Sequence, residues 1–473
     1  MQHARRKFLR HGAGGLVLAS TIASLGACAS GSLRPTPAKF RRTGKPGPGY
    51  GALKRMKDQD GREILALPEE FSYVTFGRTG EPASDGTTTP RSHDGMACFG
   101  MAGGLVRLIR NHEVTNPAGN PALAVQGSPS TRYDALAGGG CMTLDFDTKA
   151  MRLVRDFVSL NGTLMNCSGG LAHRDSGWIT CEESVRGTAE GYAKPHGYAF
   201  FVGRDWDRAR PAEPLRAMGR FAHEAAVATA DGIVYETEDA GANSGFYRFL
   251  PDDVTDLARG GVLQMLAVTT RSNYDTRTGQ AVGTSLPVDW VKIDRPDPQL
   301  AAADGCFAQG FAKGGARFAQ LKRIHRGADG SVYFLSTSGG NAFRGQLWQY
   351  IPSSRGGELV LRFESVDGVD PESPDNLIVT PSGAILFCED DNLPDNKDQH
   401  GLAGDIVNVN RLVGLGPDGR PFEFAVNTFS RSEFAGACFS PDGEVLFVNL
   451  QGGSAIGSGM TCAITGPWER GAL

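Results

Sequence analysis

A short unit recurs along this chain: a polar turn containing glycine, followed by a strand of apolar and aromatic residues. It reads Asp175-Ser176-Gly177-Trp178-Ile179-Thr180, Asp231-Gly232-Ile233-Val234-Tyr235-Glu236 and Asp329-Gly330-Ser331-Val332-Tyr333-Phe334. It returns as Ser382-Gly383-Ala384-Ile385-Leu386-Phe387 and Asp442-Gly443-Glu444-Val445-Leu446-Phe447. The turn glycines are spaced by 55, 98, 53 and 60 residues. The long gap reads as two units with one turn signature lost. A further strand pair, Gly140-Cys141-Met142-Thr143-Leu144-Asp145-Phe146 and Arg152-Leu153-Val154, precedes the first instance. Hairpin chemistry at a period in the mid-fifties predicts an all-β fold, a β-propeller of four-stranded blades. A body of about 420 residues gives six to eight blades, and six with loop insertions is the reading adopted. Helical periodicity is thin after residue 51, and a pair of β-sandwiches is the competing architecture.

Composition agrees. Gly is 64 of 473 residues, close to twice the usual share, as many tight turns require. Lys and Arg number 48 against 52 Asp and Glu, for a net charge of −4, which excludes a general nucleic-acid binder. Hydrophobic residues at 40% supply a core and exclude global disorder.

The chain opens with Arg5-Arg6-Lys7-Phe8-Leu9-Arg10, followed by an uncharged stretch rich in Gly, Ala, Ser and Leu. This is the pattern of a twin-arginine (Tat) export signal over residues 1–29, too short and glycine-rich for a transmembrane segment. Ala27-Cys28-Ala29 fits a cleavage site, and Leu25-Gly26-Ala27-Cys28 fits a lipobox that would put a lipid anchor on Cys28. Both remain open. The expected location is periplasmic or secreted, or membrane-tethered. The Tat export machinery is then a partner, and it carries folded proteins, often with a cofactor already inserted. Residues 30–50 read as a Pro/Gly-rich linker and 51–473 as a single propeller domain.

Nine cysteines occur without a C-x-x-C pair, which removes zinc-ribbon and thioredoxin-type readings. Eight remain beyond Cys28, an even number compatible with disulfides but not demanding them; most read as small buried hydrophobes. The chain also lacks a P-loop, a G-x-S-x-G elbow and an H-E-x-x-H motif.

Carboxylates cluster where strands end: Thr180-Cys181-Glu182-Glu183, Tyr235-Glu236-Thr237-Glu238-Asp239 and Phe387-Cys388-Glu389-Asp390-Asp391. Two more lie beside histidine, in Arg110-Asn111-His112-Glu113 and His223-Glu224. Strands avoid Asp and Glu, and equivalent points of different blades meet near one axis. Like charges gathered there repel unless cations neutralise them. Oxygen donors suit calcium or magnesium, and an adjoining Cys or His admits iron or another transition metal. His112 and His223 read equally as buried hydrogen-bond anchors. Arg110-Asn111 offers a bidentate cation and an amide donor, a pair suited to phosphate.

With Gly219-Arg220-Phe221-Ala222-His223-Glu224, Phe246-Tyr247-Arg248-Phe249, Pro374-Asp375-Asn376, residues 436–451 and Ala463-Ile464-Thr465-Gly466-Pro467-Trp468, these segments resemble the PhoX-type alkaline phosphatases. The resemblance runs from about residue 60 to the C-terminus. It implies a six-bladed propeller that hydrolyses phosphate esters with iron and calcium in its channel. It implies metal ligands at Cys181, Glu182 or Glu183, Glu224, and Glu389 or Asp390, and phosphate contacts from Arg110 and Asn111. One departure stands out. After Gly315-Ala316-Arg317-Phe318 the family carries R-x-E, a phosphate-binding Arg and a metal-binding Glu, where this chain places Leu321 and Arg323. A cation in place of a metal-binding carboxylate weighs against iron. Lys322, Arg323 or Arg326 would then be left to hold phosphate.

The leading expectation is therefore a metal-dependent phosphoester hydrolase acting on a small phosphorylated substrate. The alternative is a non-catalytic calcium-binding propeller that recognises an exported partner or ligand. A calcium-dependent lactonase-type propeller is a third, weaker reading.

Overall fold

The recurrent turns explain the hairpins. Gly232, Gly330, Gly383 and Gly443 hold φ values of 87°, 82°, 86° and 77°, a region open to glycine and costly to other residues. Each donates its N–H to a carbonyl three residues back, on Thr229, Gly327, Thr380 and Ser440, at 2.8–3.2 Å. Gly177 differs: the positive φ falls on Arg174 and Asp175 instead.

A computed structural model of the chain describes residues 49–115, 123–299, 304–366, 370–390, 399–416 and 418–473. The expected export signal and Cys28 lie outside these residues. Among the described residues no helix is long and apolar enough to cross a membrane.

The chain enters through β1 (Leu53–Lys57), β2 (Glu63–Pro68) and β3 (Ser72–Phe76). A first antiparallel group follows: β4 (His93–Gly100), β5 (Leu105–His112), β6 (Gly139–Asp147) and β7 (Arg152–Thr163). The second has three strands, β8 (Asn166–Leu171), β9 (Gly177–Glu182) and β10 (Ala199–Gly203). The third is β11 (His223–Ala228), β12 (Val234–Glu238), β13 (Phe246–Pro251) and β14 (Gly261–Val268). An insertion of β15 (Ser285–Lys292) and the short helix α1 (Cys306–Ala312) leads to the fourth: β16 (Leu321–Arg326), β17 (Val332–Ser336), β18 (Gln346–Ser353) and β19 (Gly356–Glu364). The fifth is β20 (Pro374–Val379), β21 (Ile385–Glu389), β22 (Arg411–Leu415) and β23 (Pro421–Asn427), extended at its outer edge by β2 and β1. The last is β24 (Phe434–Phe439), β25 (Val445–Leu450) and β26 (Met460–Thr465), and β3 from the N-terminal side completes it.

The first strands of these groups touch in a closed circuit: β4 with β8, β8 with β11, β11 with β16, β16 with β20, β20 with β24, and β24 back to β4. The fold is all-β and propeller-like, as expected. Apolar side chains fill the wedges between neighbouring groups. Tyr235, Phe246, Trp290, Phe334 and Tyr350 form one such cluster between the third and fourth.

The 98-residue gap has a different origin from the one expected. No repeat is lost between Gly232 and Gly330; β15 and α1 are inserted between consecutive groups. The unit with an unrecognised turn is the first, where Ala102–Gly104 precedes β5 and Gly103 and Gly104 take the positive φ.

Candidate metal and phosphate site

Every first strand breaks its register near its start. The shifts fall between His93 and Met96, Asn166 and Gly169, His223 and Ala225, Leu321 and Ile324, Pro374 and Asn376, and Ala435 and Cys438. A bulge adds a residue and re-aims its side chain. The second residue of these strands is, in order, Asp94, Cys167, Glu224, Lys322, Asp375 and Ala435. A second circle comes from the residue just after each second strand: Glu113, Glu183, Asp239, Thr337, Asp390 and Gln451. All six are fixed alike. Their N–H groups donate to the carbonyls of Ser92, Met165, Ala222, Gln320, Ser373 and Glu433 at 2.9–3.2 Å. The repeat thus places two equivalent positions per unit at the same end of the strand groups.

Side chains from different groups meet there. Lys322 Nζ lies 3.0 Å from Asp239 Oδ2, 3.1 Å from Glu183 Oε1, 3.1 Å from Asp375 Oδ1 and 3.3 Å from Glu224 Oε2. Cys167 Sγ is 3.4 Å from Glu224 Oε1. Gln451 Nε2 donates to Asp94 Oδ2 at 3.1 Å and to Glu113 Oε2 at 2.7 Å. Among the described residues three sets of donor atoms each lie within 4.8 Å of one another: Asp94, Glu113 and Cys167; Cys167, Glu224 and Asp375; and Glu183, Glu224 and Asp239.

Electrostatics follows from burial. Desolvation pushes the Glu224 carboxyl well up, Lys322 opposes it, and Glu183, Asp375 and Asp239 reinforce it. Asp239 is pushed up to about 6 by burial, again with Lys322 opposing. Burial alone would depress Lys322, but Asp239, Asp375, Glu183 and Glu224 overcome it and hold the ammonium well above the ordinary lysine value. The Cys167 thiol is pushed well up by burial, with Asp94, Glu224 and Glu183 adding to it. A bound cation would reverse that direction, since thiolate is the ligating form. Oxygen and sulfur donors together suit a transition metal beside a harder ion. The donor set around Cys167 therefore fits a metal, whereas the space between Glu183 and Asp239 is filled by an ammonium group.

Glu183 and Glu224 converge in this site, and Asp390 takes the matching backbone position in the fifth group. The other expected ligands are placed elsewhere. Cys181 packs in an apolar cluster with Ile179, Ala199 and Phe221. Glu182 accepts from the N–H groups of Leu164, Gly197 and Tyr198 and from His196 Nδ1, at 2.7–3.1 Å. Glu389 is engaged by Arg411 N, Nε and Nη2 and by Glu372 N, at 2.7–2.9 Å. These carboxylates satisfy buried backbone and side-chain donors.

Arg110 and Asn111 are fully buried and lie on opposite faces of β5. Arg110 Nη1 donates to Thr461 Oγ1 at 2.8 Å and to Gly77 O at 3.2 Å, toward the last group. Asn111 Nδ2 donates to the carbonyls of Ser168 and Cys167 at 2.7 and 3.0 Å, toward the second. The pair cannot grip one phosphate, because adjacent strand residues point oppositely. The Asn instead pins the backbone that carries Cys167. His112 Nδ1 donates to Arg91 O at 3.0 Å. His223 bonds to Gly219 O at 3.1 Å, pairs with Glu236 and stacks on Phe221, so both histidines are anchors.

Of the cations considered for phosphate, Arg326 lies at the far end of β16, paired with Asp175. Arg323 crosses from the fourth group to Ser168 Oγ at 2.7 Å and Met96 O at 3.4 Å, with its guanidinium 5.2 Å from the Trp178 ring centre. Leu321 is apolar core. Sequence reasoning missed Asp94, Cys167 and Asp375 as site residues, and it weighed Lys322 for phosphate, whereas four carboxylates surround its ammonium. The available signal was positional: each follows the first residue of an inner strand, as Glu224 does in His223-Glu224.

Comparison with known proteins agrees with this architecture. The alkaline phosphatase PhoX family matches residues 49–453. Among solved structures, PhoX of Pseudomonas fluorescens in complex with vanadate, a transition state analogue, superposes with a TM-score of 0.64 at 17% identity, covering 90% of this chain and 98% of that one. A gluconolactonase of Xanthomonas campestris gives a TM-score of 0.42 at 11% identity, covering 90% and 99%, too weak a likeness to carry the lactonase reading. No curated protein matches the sequence. With most of its length matched by one family, the chain belongs to the alkaline phosphatase PhoX family.

Proposed function

We propose that the chain is a metal-dependent phosphoester hydrolase working at the end of the channel, with metal held by Asp94, Glu113 and Cys167 and shared with Glu224 and Asp375. The observation that carries this is the convergence of those donor atoms, from separate strand groups, within 4.8 Å in overlapping sets. A metal bound there would polarise phosphoryl oxygens and lower the pKa of a bound water. The protein's own groups prepare the place. Gln451 holds Asp94 and Glu113 with both N–H donors of one amide. Asn111 fixes the backbone at Cys167. Glu224 Oε1 stands where it receives the thiol proton of Cys167. Calcium and iron are the cofactors proposed, a small phosphate monoester the substrate, and Tat-dependent export the route.

The test uses mature protein exported natively. Hydrolysis of an aryl phosphate should depend on added or retained metal. It should be lost in Asp94→Asn and Cys167→Ala and retained in Cys181→Ala. Folded wild-type protein with no turnover at any calcium or iron loading would end this reading. The Lys322 ammonium, placed among four carboxylates, favours a second one: a non-catalytic metal-binding propeller. That reading expects bound metal and metal-dependent thermal stability with no hydrolysis.

A further inference from the structure

The acidic cage at the channel end already contains a cation of the protein's own. Four carboxylates face Lys322 Nζ at 3.0–3.3 Å: Glu183 from the second strand group, Glu224 and Asp239 from the third, and Asp375 from the fifth. Calcium takes six to eight oxygens at 2.3–2.6 Å. An ammonium at the centre excludes such an ion by occupying its place and by like-charge repulsion. Lys322 holds the same strand position as Asp94, Cys167, Glu224 and Asp375, and of these it alone is positive. Its flexible four-carbon stem lets the charge reach the middle of the cage from the fourth group. Glu224 divides the two environments, with Oε2 toward Lys322 and Oε1 toward Cys167.

We propose that Lys322 is a resident cation standing in for a metal ion among Glu183, Glu224, Asp239 and Asp375, so that this chain confines metal to the adjoining Cys167 side and would open the cage to a divalent cation if the lysine charge were removed. The metal placement rests on the reading above; the readout is metal content, not turnover, so the two can fail separately.

The experiment compares natively exported wild-type protein with Lys322→Met by elemental analysis and by thermal melting in calcium. The variant should gain one equivalent of divalent cation, and calcium should raise its Tm by several degrees more than it raises that of the wild type. Equal metal content in two folded proteins overturns the proposal. Should Lys322→Met fail to fold, wild-type crystals soaked in manganese decide by anomalous scattering. A peak beside Asp94, Glu113 or Cys167 with none between Glu183 and Asp239 supports it. A peak between Glu183 and Asp239, or no peak at all, overturns it.

Discussion

The thiol of Cys167 lies 3.4 Å from Oε1 of Glu224, while Cys181, fourteen residues on, faces apolar side chains. Cys167→Ala should therefore strip most of the tightly bound transition metal, read by elemental analysis. Cys181→Ala should leave metal content at the wild-type level and cost only about 1 kcal/mol of stability from lost packing, read by denaturant unfolding. The reverse ranking would show that the wrong thiol has been assigned.

The bulges that aim the site depend on close backbone approach. A Cβ on Gly95 would come within 2.7 Å of Ser168 Cα and 2.9 Å of Cys167 O. Gly95→Ala must push β4 and β8 apart, moving Asp94 away from Cys167. Expected are a loss of about 1–3 kcal/mol in stability and a larger proportional loss of bound metal. A variant that melts like wild type and keeps its metal would contradict this account of the bulge.

Arg110 is buried and hydrogen-bonded to Thr461 and Gly77. Burial pulls its guanidinium down to about 9, with Asp156 and Glu81 opposing. Arg110→Met keeps the volume while removing a buried charge, so stability should change by no more than about 1–2 kcal/mol. KM for an aryl phosphate should stay within twofold. A tenfold rise in KM with an unchanged Tm would restore Arg110 to the substrate. Asn111→Ala should behave oppositely: it strips hydrogen bonds from the Cys167 and Ser168 carbonyls and costs about 3 kcal/mol.

Two carboxyls away from the Cys167 donors should give opposite pH slopes. A hydrogen bond with His400, opposed by burial and aided by Arg411, brings Glu423 down to about 2. Its contribution is complete above the ordinary glutamate value of 4.5 and is lost as pH falls toward 2. Glu423→Gln should remove about 2 kcal/mol at neutral pH and flatten that acid limb. Glu238 is pushed up to about 7 by burial, partly offset by hydrogen bonds from Tyr247 and Gly245. Between pH 4.5 and 7 the folded state holds a proton that the unfolded chain has released, so stability is lost as pH rises through that window. Glu238→Gln should flatten it. Chemical denaturation at half-unit pH steps reads both slopes.

The all-β, propeller-like fold was legible because its turn chemistry is local: an Asp or Ser, a glycine with positive φ and an apolar strand suffice. The site was half legible. Glu183 and Glu224 could be picked out because strand-end acids are conspicuous. Asp94, Cys167 and Asp375 were not, and Lys322 was weighed for phosphate instead of for its carboxylate partners, because a bulge changes which way a residue points without changing composition. In Thr180-Cys181-Glu182-Glu183 the last two strand residues are spent on the interior, Cys181 in the apolar core and Glu182 on buried donors, while Glu183, one residue past the end of β9, joins the acidic cluster. Adjacency in sequence misled in the same way at Arg110 and Asn111, which share a motif and face opposite ways.

The pairing of β3 with β26 joins residues near the start of the folded chain to residues near its end. The strand group that touches β4 through β24 is therefore completed by a strand from the N-terminal side. Donors that range in sequence from Asp94 to Asp375 are held in mutual register by a ring whose joint is tied by strands from both sides of them. Loosening the β3–β26 seam should accordingly disturb donors distant from it in sequence.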